Sequence, residues 1–189
     1  MTSLRMTTAD LDVFPDPLDD TRYEIIDGEL YVSQQPSLEH QFASDAACAA
    51  LRSWSEQTGR GFAFSAPGVI FAQDDNAAPD VVWISKERLR EALSDDGKLH
   101  KAPELVVEVL SPGAQNEQRD REVKLKLYSR RGVEEYWIVA HLARMVSVYR
   151  QDSGILQPVA SFSADEDLQS PLLPGFNLPV GRFFFPSVF

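Results

Sequence analysis

The chain has one cysteine, three histidines and fewer bases than acids among its 189 residues. A single thiol, Cys48, excludes an internal disulfide and any multi-thiolate zinc site. Its surroundings, DAACAALRSW, read as a helix face on which Cys48 is a small buried hydrophobe. His100 and His141 fall near element boundaries with no second ligand at metal spacing, and both read as surface residues. No apolar run approaches the roughly 20 residues of a membrane span. The opening MTSLRMTTADLD lacks a signal-peptide core, so a reducing cytoplasm is the expected location, with no membrane partner. Lys and Arg number 18 against 29 Asp and Glu, a net charge of −11. That balance excludes a globally basic nucleic-acid coat, so any contact with nucleic acid needs a local basic patch or metal ions. The sequence also lacks a GxSxG elbow, a P-loop and an HExxH helix.

What is present is an ordinary globular composition, 43% hydrophobic and 25% charged, at a length that suits one domain with a real core. Residues 1–20, with Pro15, Pro17 and several acids, read as an irregular leading segment, and 21–189 as a single domain. YEIIDGELYV is a hairpin: alternating apolar runs flank Asp27-Gly28, which suits a type I′ turn. PSLEHQFASDAACAALRSWSEQTGRG is a helix. Ser37 caps it, Leu38, Phe42, Ala46, Ala50 and Trp54 recur every four residues, and Gly59 and Gly61 stop it. Short strands follow, broken by Pro67-Gly68 and by a polar turn at Asp74, Asp75 and Asn76, and ending in DVVWI. KERLREALSDDG is a short helix ending at Gly97. ELVVEVL is a strand, EQRDREVKLKLYSRRG a helix ended by Gly132, and EEYWIVA and MVSVYRQ are strands. The tail carries Pro171, Pro174, Pro179 and Pro186 and closes on RFFFPSVF, read as a docked core tail or a homodimer interface.

The strand–helix–strand order over 105–139 predicts a right-handed parallel crossover. With hairpins before and after, the fold class is α/β (α+β), a mixed central β-sheet flanked by helices, with an N-terminal hairpin.

One residue is out of place in this pattern. Glu108 sits among Leu105, Val106, Val107, Val109 and Leu110 in a strand apolar on both faces. A buried lone carboxylate must be paired, protonated or bound to a cation. Asp80 begins the β run Val81, Val82, Trp83, Ile84, and two acids on neighbouring strands form a hard oxygen site suited to Mg²⁺ or Mn²⁺. Lys124 is a second partner. At about 100° per residue with Val123 at zero, Leu127 falls near 40°, Asp120 near 60°, Lys124 near 100°, Glu117 near 120° and Tyr128 near 140°. Lys126, Arg130 and Arg119 fall at about 300–340°, towards solvent. Asp, Glu and Lys converging at a sheet edge support metal-assisted phosphodiester hydrolysis.

PDVV, then PELVVEVLSPG, then DREVKLKLYSRRGVEEYWIV resembles the Uma-type restriction endonuclease family, grouped with the PD-(D/E)XK nucleases. YEIIDGEL, PSLEHQ and SPLLPGFNLPV match its pattern too, so the resemblance covers most of residues 22–180. It implies a restriction-endonuclease-like core, with Asp80 and Glu108 as the two acids and DNA as the substrate. In the plain superfamily pattern the lysine lies two residues after the second acid, where this chain has Leu110. The family's pattern instead places a lysine in the following helix, and Lys124 matches it. The expected site is therefore Asp80, Glu108 and Lys124 as catalytic residues. Mg²⁺ or Mn²⁺ would be held by Asp80, Glu108 and the carbonyl of Val109.

Glu39 and His40 in the first turn of the long helix, Glu24 and Glu29 beside the hairpin turn, and Asp120 are auxiliary candidates. Residues 119–131 hold six bases and two acids, and Arg119 and Arg121 are candidates for phosphate contact. Each residue also has a plain structural reading: Asp80 as a strand-entry turn residue, Glu108 in a salt bridge, Lys124 as the i+4 partner of Asp120. These leave open an alternative, a catalytically silent binding or dimerisation module.

Overall fold

The computed structural model describes residues 5–11, 14 and 21–186. Pro15 and Pro17 of the leading segment, and the last three residues of the tail, lie outside the described residues. Ahead of them a single helical turn, α1 (Thr8–Leu11), is held by Asp10, which accepts from the Thr7 amide at 2.7 Å.

The hairpin pairs β1 (Arg22–Ile26) with β2 (Glu29–Ser33). Asp27 and Gly28 take φ of 55° and 75°, the two positive values that a type I′ turn requires. The long helix α2 (Leu38–Thr58) starts on Ser37, whose side chain accepts from the His40 amide, and ends on left-handed Gly59. Then come β3 (Gly61–Ser65), β4 (Val69–Ala72), β5 (Asp75–Ala77), β6 (Val81–Ser85), α3 (Lys86–Ala92) and β7 (Leu105–Val109). The crossover follows as α4 (Ala114–Gln118), a π-helical turn at Arg119–Val123 and α5 (Lys124–Arg131), returning to β8 (Glu135–Ala140). The chain finishes with β9 (Met145–Asp152), β10 (Ile155–Ser163), β11 (Asp167–Gln169), β12 (Asn177–Pro179) and a 3-10 turn at Val180–Phe183.

The central sheet has the order β10-β9-β8-β7-β6-β3. Only the β7–β8 pair within it is parallel, so the sheet is mixed and β7 and β8 are joined by a parallel crossover, as expected. A second sheet has the order β2-β1-β5-β4. Both faces of the central sheet are covered, which is why β7 is apolar at every position but one. On one face Leu105, Val107 and Val109 pack with Ala43, Ala47, Leu51 and Trp54 of α2 and with Phe183 of the tail. On the other, Val106 and Leu110 join Leu127 and Tyr128 of α5, and Ile26, Val69 and Ala77 of the second sheet. Glu108, by strand alternation, points to the α5 face. Among the described residues, no helix is long and apolar enough to cross a membrane.

Several expectations are corrected. The α2 stripe at Leu38, Phe42, Ala46 and Ala50 is not its buried face; Leu38 is 68% exposed. The buried side is Ala43, Ser44, Ala47, Cys48, Leu51, Trp54 and Ser55. A strict four-residue spacing drifts about 40° per step, and small residues let the helix approach the sheet closely. Gly61 is not a helix stop but the first residue of β3. An added Cβ there would come within 2.7 Å of the Trp83 ring and would also meet the Ile84 carbonyl. Asp75 and Asn76 form β5 rather than a turn, because Asp75 is neutralised by Arg130 and Arg131 and Asn76 accepts from the Ile25 amide. The helix α3 stops at Ala92 rather than Gly97, since Leu93 leaves it to bridge Leu99. The tail holds three unexpected strands. No element is expected over 155–163, yet β10 forms there with Pro158 in it, tolerated on a sheet edge beside a bulge.

Candidate active site

Three elements bring the central acids and amine together. Asp80 precedes β6, Glu108 lies near the C-terminal end of the adjacent β7, and Lys124 opens α5. All three are buried, at 5%, 3% and 2% exposure. Lys124 Nζ donates to Glu108 Oε1 at 2.9 Å and reaches Glu24 Oε1 at 3.1 Å. Asp120 Oδ1 lies 3.9 Å from the same nitrogen. Tyr128 Oη, one helical turn after Lys124, donates to Glu108 Oε1 at 2.6 Å. Asp80 Oδ2 accepts from the Val109 amide at 2.9 Å and lies 3.2 Å from His40 Nε2, while Oδ1 accepts from Arg22 Nη1 at 3.0 Å.

These groups surround a small cavity of about 30 Å³, lined among others by Glu24, His40, Asp80, Glu108, Val109 and Lys124. That is room for roughly one or two water-sized species. Arg22, Ser33, Ser111 and Arg119 complete its rim.

Burial drives the electrostatics. It works to raise the Asp80 carboxyl, but the hydrogen bond and charge of His40, with Lys124 and the Val109 amide, outweigh it and hold the group at about 2. Burial pushes Glu108 up to about 8; Lys124 opposes this, and Asp80, Asp120 and Glu24 add to it. Burial likewise raises Asp120 against the pull of Lys124 and Arg119. Desolvation works to lower Lys124, yet Glu108, Glu24 and Asp120 reverse it, so the ammonium is held protonated. Asp80 is thus held as an anion, while Glu108 stands between burial, which favours its protonated form, and Lys124, which favours the carboxylate.

The auxiliary candidates separate. Glu24 faces the cavity and also accepts from the Ala78 amide at 2.9 Å. Asp120 is buried beside Lys124. His40 points in while Glu39, its neighbour, is exposed and does not line the cavity, because adjacent helical positions face about 100° apart. Glu29 is exposed and accepts from Tyr31. Arg121 pairs with Glu117 at 3.8 Å, away from the cavity lining.

Arg119 corrects the helical projection. It was placed towards solvent, but its side chain is 12% exposed, bound to Asp120 at 3.1 Å and to Ser33 Oγ at 2.7 Å. The π turn is the reason: the Lys124 amide bonds the Arg119 carbonyl five residues back, so angles extrapolated as if the helix were α are wrong before Lys124. Lys124 itself belongs to the regular segment, and its inward aim holds. Arg130 is exposed, as the projection has it, and from there binds Asp27 and Asp75. His141 is half-buried rather than a surface group, with a buried Nδ1 that, like that of His40, has no partner among the described residues.

Arg22 and Tyr128 were missed as site residues. The signals existed: Arg22 is two residues from Glu24 on a strand, hence on its face, and Tyr128 is four after Lys124 on a helix.

Among the described residues, no three His, Cys, Asp or Glu side chains form a metal-holding group. The donor chemistry present is two carboxylates, Asp80 and Glu108, beside the Val109 backbone. These are hard oxygen donors at a cavity of suitable size, and they fit a small divalent cation once Asp80 Oδ1 is released by Arg22.

Comparison with solved structures shows the same fold in a "putative nuclease belonging to DUF820" from Anabaena variabilis. The match has a TM-score of 0.75 at 17% identity, over 94% of this chain and 97% of that one. The type IIG restriction endonuclease BpuSI aligns at 17% identity over 64% of this chain and 13% of its own, with a TM-score of 0.38. No curated protein matches. The family model described as "Uma2: Putative restriction endonuclease" matches residues 10–181. That span takes in every strand, α2 and every residue of the cavity, and the chain belongs to the Uma2 family.

Proposed function

We propose that the protein is a divalent-cation-dependent nuclease that hydrolyses phosphodiester bonds in DNA. One observation carries this reading: Asp80, Glu108 and Lys124 leave three different elements and meet at one small buried cavity beneath a basic rim. A hydrophobic core has no need of that arrangement, and strongly shifted groups gathered at one cavity are typical of functional sites.

Asp80 and Glu108, with the Val109 carbonyl, would hold Mg²⁺ or Mn²⁺. When bound, the ion supplies polarisation of the phosphate and a lowered pKa for water. Asp80 is already ionised for this role, and the Val109 amide fixes its orientation. Tyr128 and Lys124 both donate to Oε1 of Glu108 and so set its rotamer. Lys124 keeps its proton, because three carboxyl groups face it. Its role is therefore to orient water through its N–H donors and to offset negative charge gathering on the phosphate, rather than to accept a proton. Arg119, pinned by Asp120 and Ser33, presents charge at the rim where a phosphate would arrive.

A second reading has an observation in its favour. Both oxygens of Asp80 and one of Glu108 are already bonded to the protein's own groups, as in a self-neutralised structural cluster. That would suit a silent nuclease-fold module. The two readings separate in a nuclease assay on linear, supercoiled, nicked and single-stranded DNA with Mn²⁺, run beside Asp80→Asn. Cleavage lost on this substitution supports the enzyme. No cleavage of any form by the wild-type chain supports the module.

A further inference from the structure

We infer that Arg22 is a phosphate-binding residue that, in the absence of a cation, occupies the place of one on Asp80. This rests on the proposed cation site and adds to it a residue and an exchange.

Three cations line the cavity, and they are held very differently. The Lys124 side chain is 3% exposed and faces Glu24, Glu108 and Asp120. Arg119 is 12% exposed and tied to Asp120 and Ser33. Arg22 is 30% exposed, at the rim, and bound to Asp80 Oδ1 through one nitrogen at 3.0 Å. It is the only one of the three whose charged group solvent can readily receive, provided an arriving cation takes over the charge of buried Asp80. Its anchor is the carboxylate that the proposed metal needs. A divalent ion and the Arg22 guanidinium therefore compete for one oxygen.

Arg22 also stands in the right place once displaced. It pairs across the hairpin with Ser33, so the two side chains share a face. Ser33 Oγ accepts from Arg119 Nη1 at 2.7 Å. The hairpin thus sets two guanidinium groups side by side on one lip of the cavity. Two forked donors at a cation site match the non-bridging oxygens of a phosphodiester. In a chain of net charge −11, binding an anion beside Asp80 and Glu108 demands such local cover. The exchange would be purely ionic: with Asp80 engaged by a cation, Arg22 would be free to bind the phosphate.

The test compares the full-length wild type, Arg22→Ala and Arg22→Lys with two probes. The first is Mn²⁺ alone, titrated calorimetrically. The second is a short fluorescent DNA duplex with cleavage-resistant phosphorothioate linkages, followed by anisotropy in Mn²⁺ over a range of salt. Removing the competitor should tighten Mn²⁺ binding in Arg22→Ala by about threefold. The same variant should bind the duplex more weakly, with a salt slope smaller by about 1, and Arg22→Lys should restore the slope. A merely structural arginine would not strengthen cation binding when removed. Weaker or unchanged Mn²⁺ binding in Arg22→Ala, or unchanged duplex binding, overturns the role of Arg22 and leaves the cation site standing. A wild-type chain that takes up no Mn²⁺ overturns the cation site, and this inference with it.

Discussion

Tyr128 Oη donates a 2.6 Å hydrogen bond to Glu108 Oε1, joining a helix residue to a strand residue twenty positions earlier. Lys124 Nζ meets the same oxygen at 2.9 Å. With Oε1 taking both donors, the carboxyl group is held in one rotamer. Removing the hydroxyl should cost about 1–2 kcal/mol of stability, the usual effect of a lost buried hydrogen bond to an acid. Urea denaturation of Tyr128→Phe checks this, and a stability equal to wild type would show that the bond contributes nothing.

Lys124 neutralises a buried acidic group, so its loss should be severe. Lys124→Met leaves Glu24, Glu108 and Asp120 without their shared ammonium. The expected destabilisation is about 3–5 kcal/mol. Adding Glu108→Gln should recover part of it, because one of the stranded acids is removed. Thermal melts of the single and double variants measure both effects; a double variant that is worse by the full sum would contradict the coupling.

Cation binding should register as stability. At a Mn²⁺ or Mg²⁺ concentration about 100 times Kd, mass action adds roughly 2.7 kcal/mol to the folded state. Asp80→Asn should remove the gain. Superimposable wild-type melting curves with and without metal would favour the silent module.

Asp75 links the second sheet to α5 by accepting from Arg130, Arg131 and the Asp27 amide. Burial works to raise its carboxyl, and those donors outweigh it, so the group sits below its ordinary value of 3.8. An acid depressed in the folded state contributes stability above its unfolded pKa and loses it as pH falls through the folded one. Asp75→Asn should therefore be less stable than wild type by about 1–2 kcal/mol at pH 7, with partly exposed arginines limiting the effect. The difference should shrink below about pH 4. Paired melts at pH 7, 5 and 3.5 test it; a constant gap would refute the assignment.

Gly61 is needed for space rather than for an unusual φ. A methyl group there meets the Trp83 ring at 2.7 Å and the Ile84 carbonyl. Gly61→Ala should destabilise by about 1–3 kcal/mol through displacement of β3 or the indole, measured by chemical denaturation. Gly97, with nothing near its missing side chain, offers a control in which only its φ of 76° is strained.

Much of this architecture was legible along the chain. The Asp27-Gly28 turn, the Ser37 cap, the β7–α5–β8 crossover and the inward aim of Lys124 follow from local pattern, because each depends on residues within a few positions. The failures are equally local in cause. The α2 stripe follows a four-residue spacing, which drifts off the buried face of the helix. β10 shows itself only through its pairing with β9, and the π turn misdirects the projection of Arg119.

From residue order alone came the elements from β1 to β9 other than β5, their sequence in the chain, and the oddity of Glu108 in a strand that must be buried on both sides. Alternation and helical period are properties of short segments, and they survive without any knowledge of partners. Which groups answer Glu108 is a different kind of fact. Tyr128 comes from α5, His40 from α2, and Arg22 and Glu24 from β1, and packing alone gathers them around Glu108, Asp80 and Lys124. Burial at that meeting point then sets their charge states, because the cost of an ion depends on every neighbour that can share it.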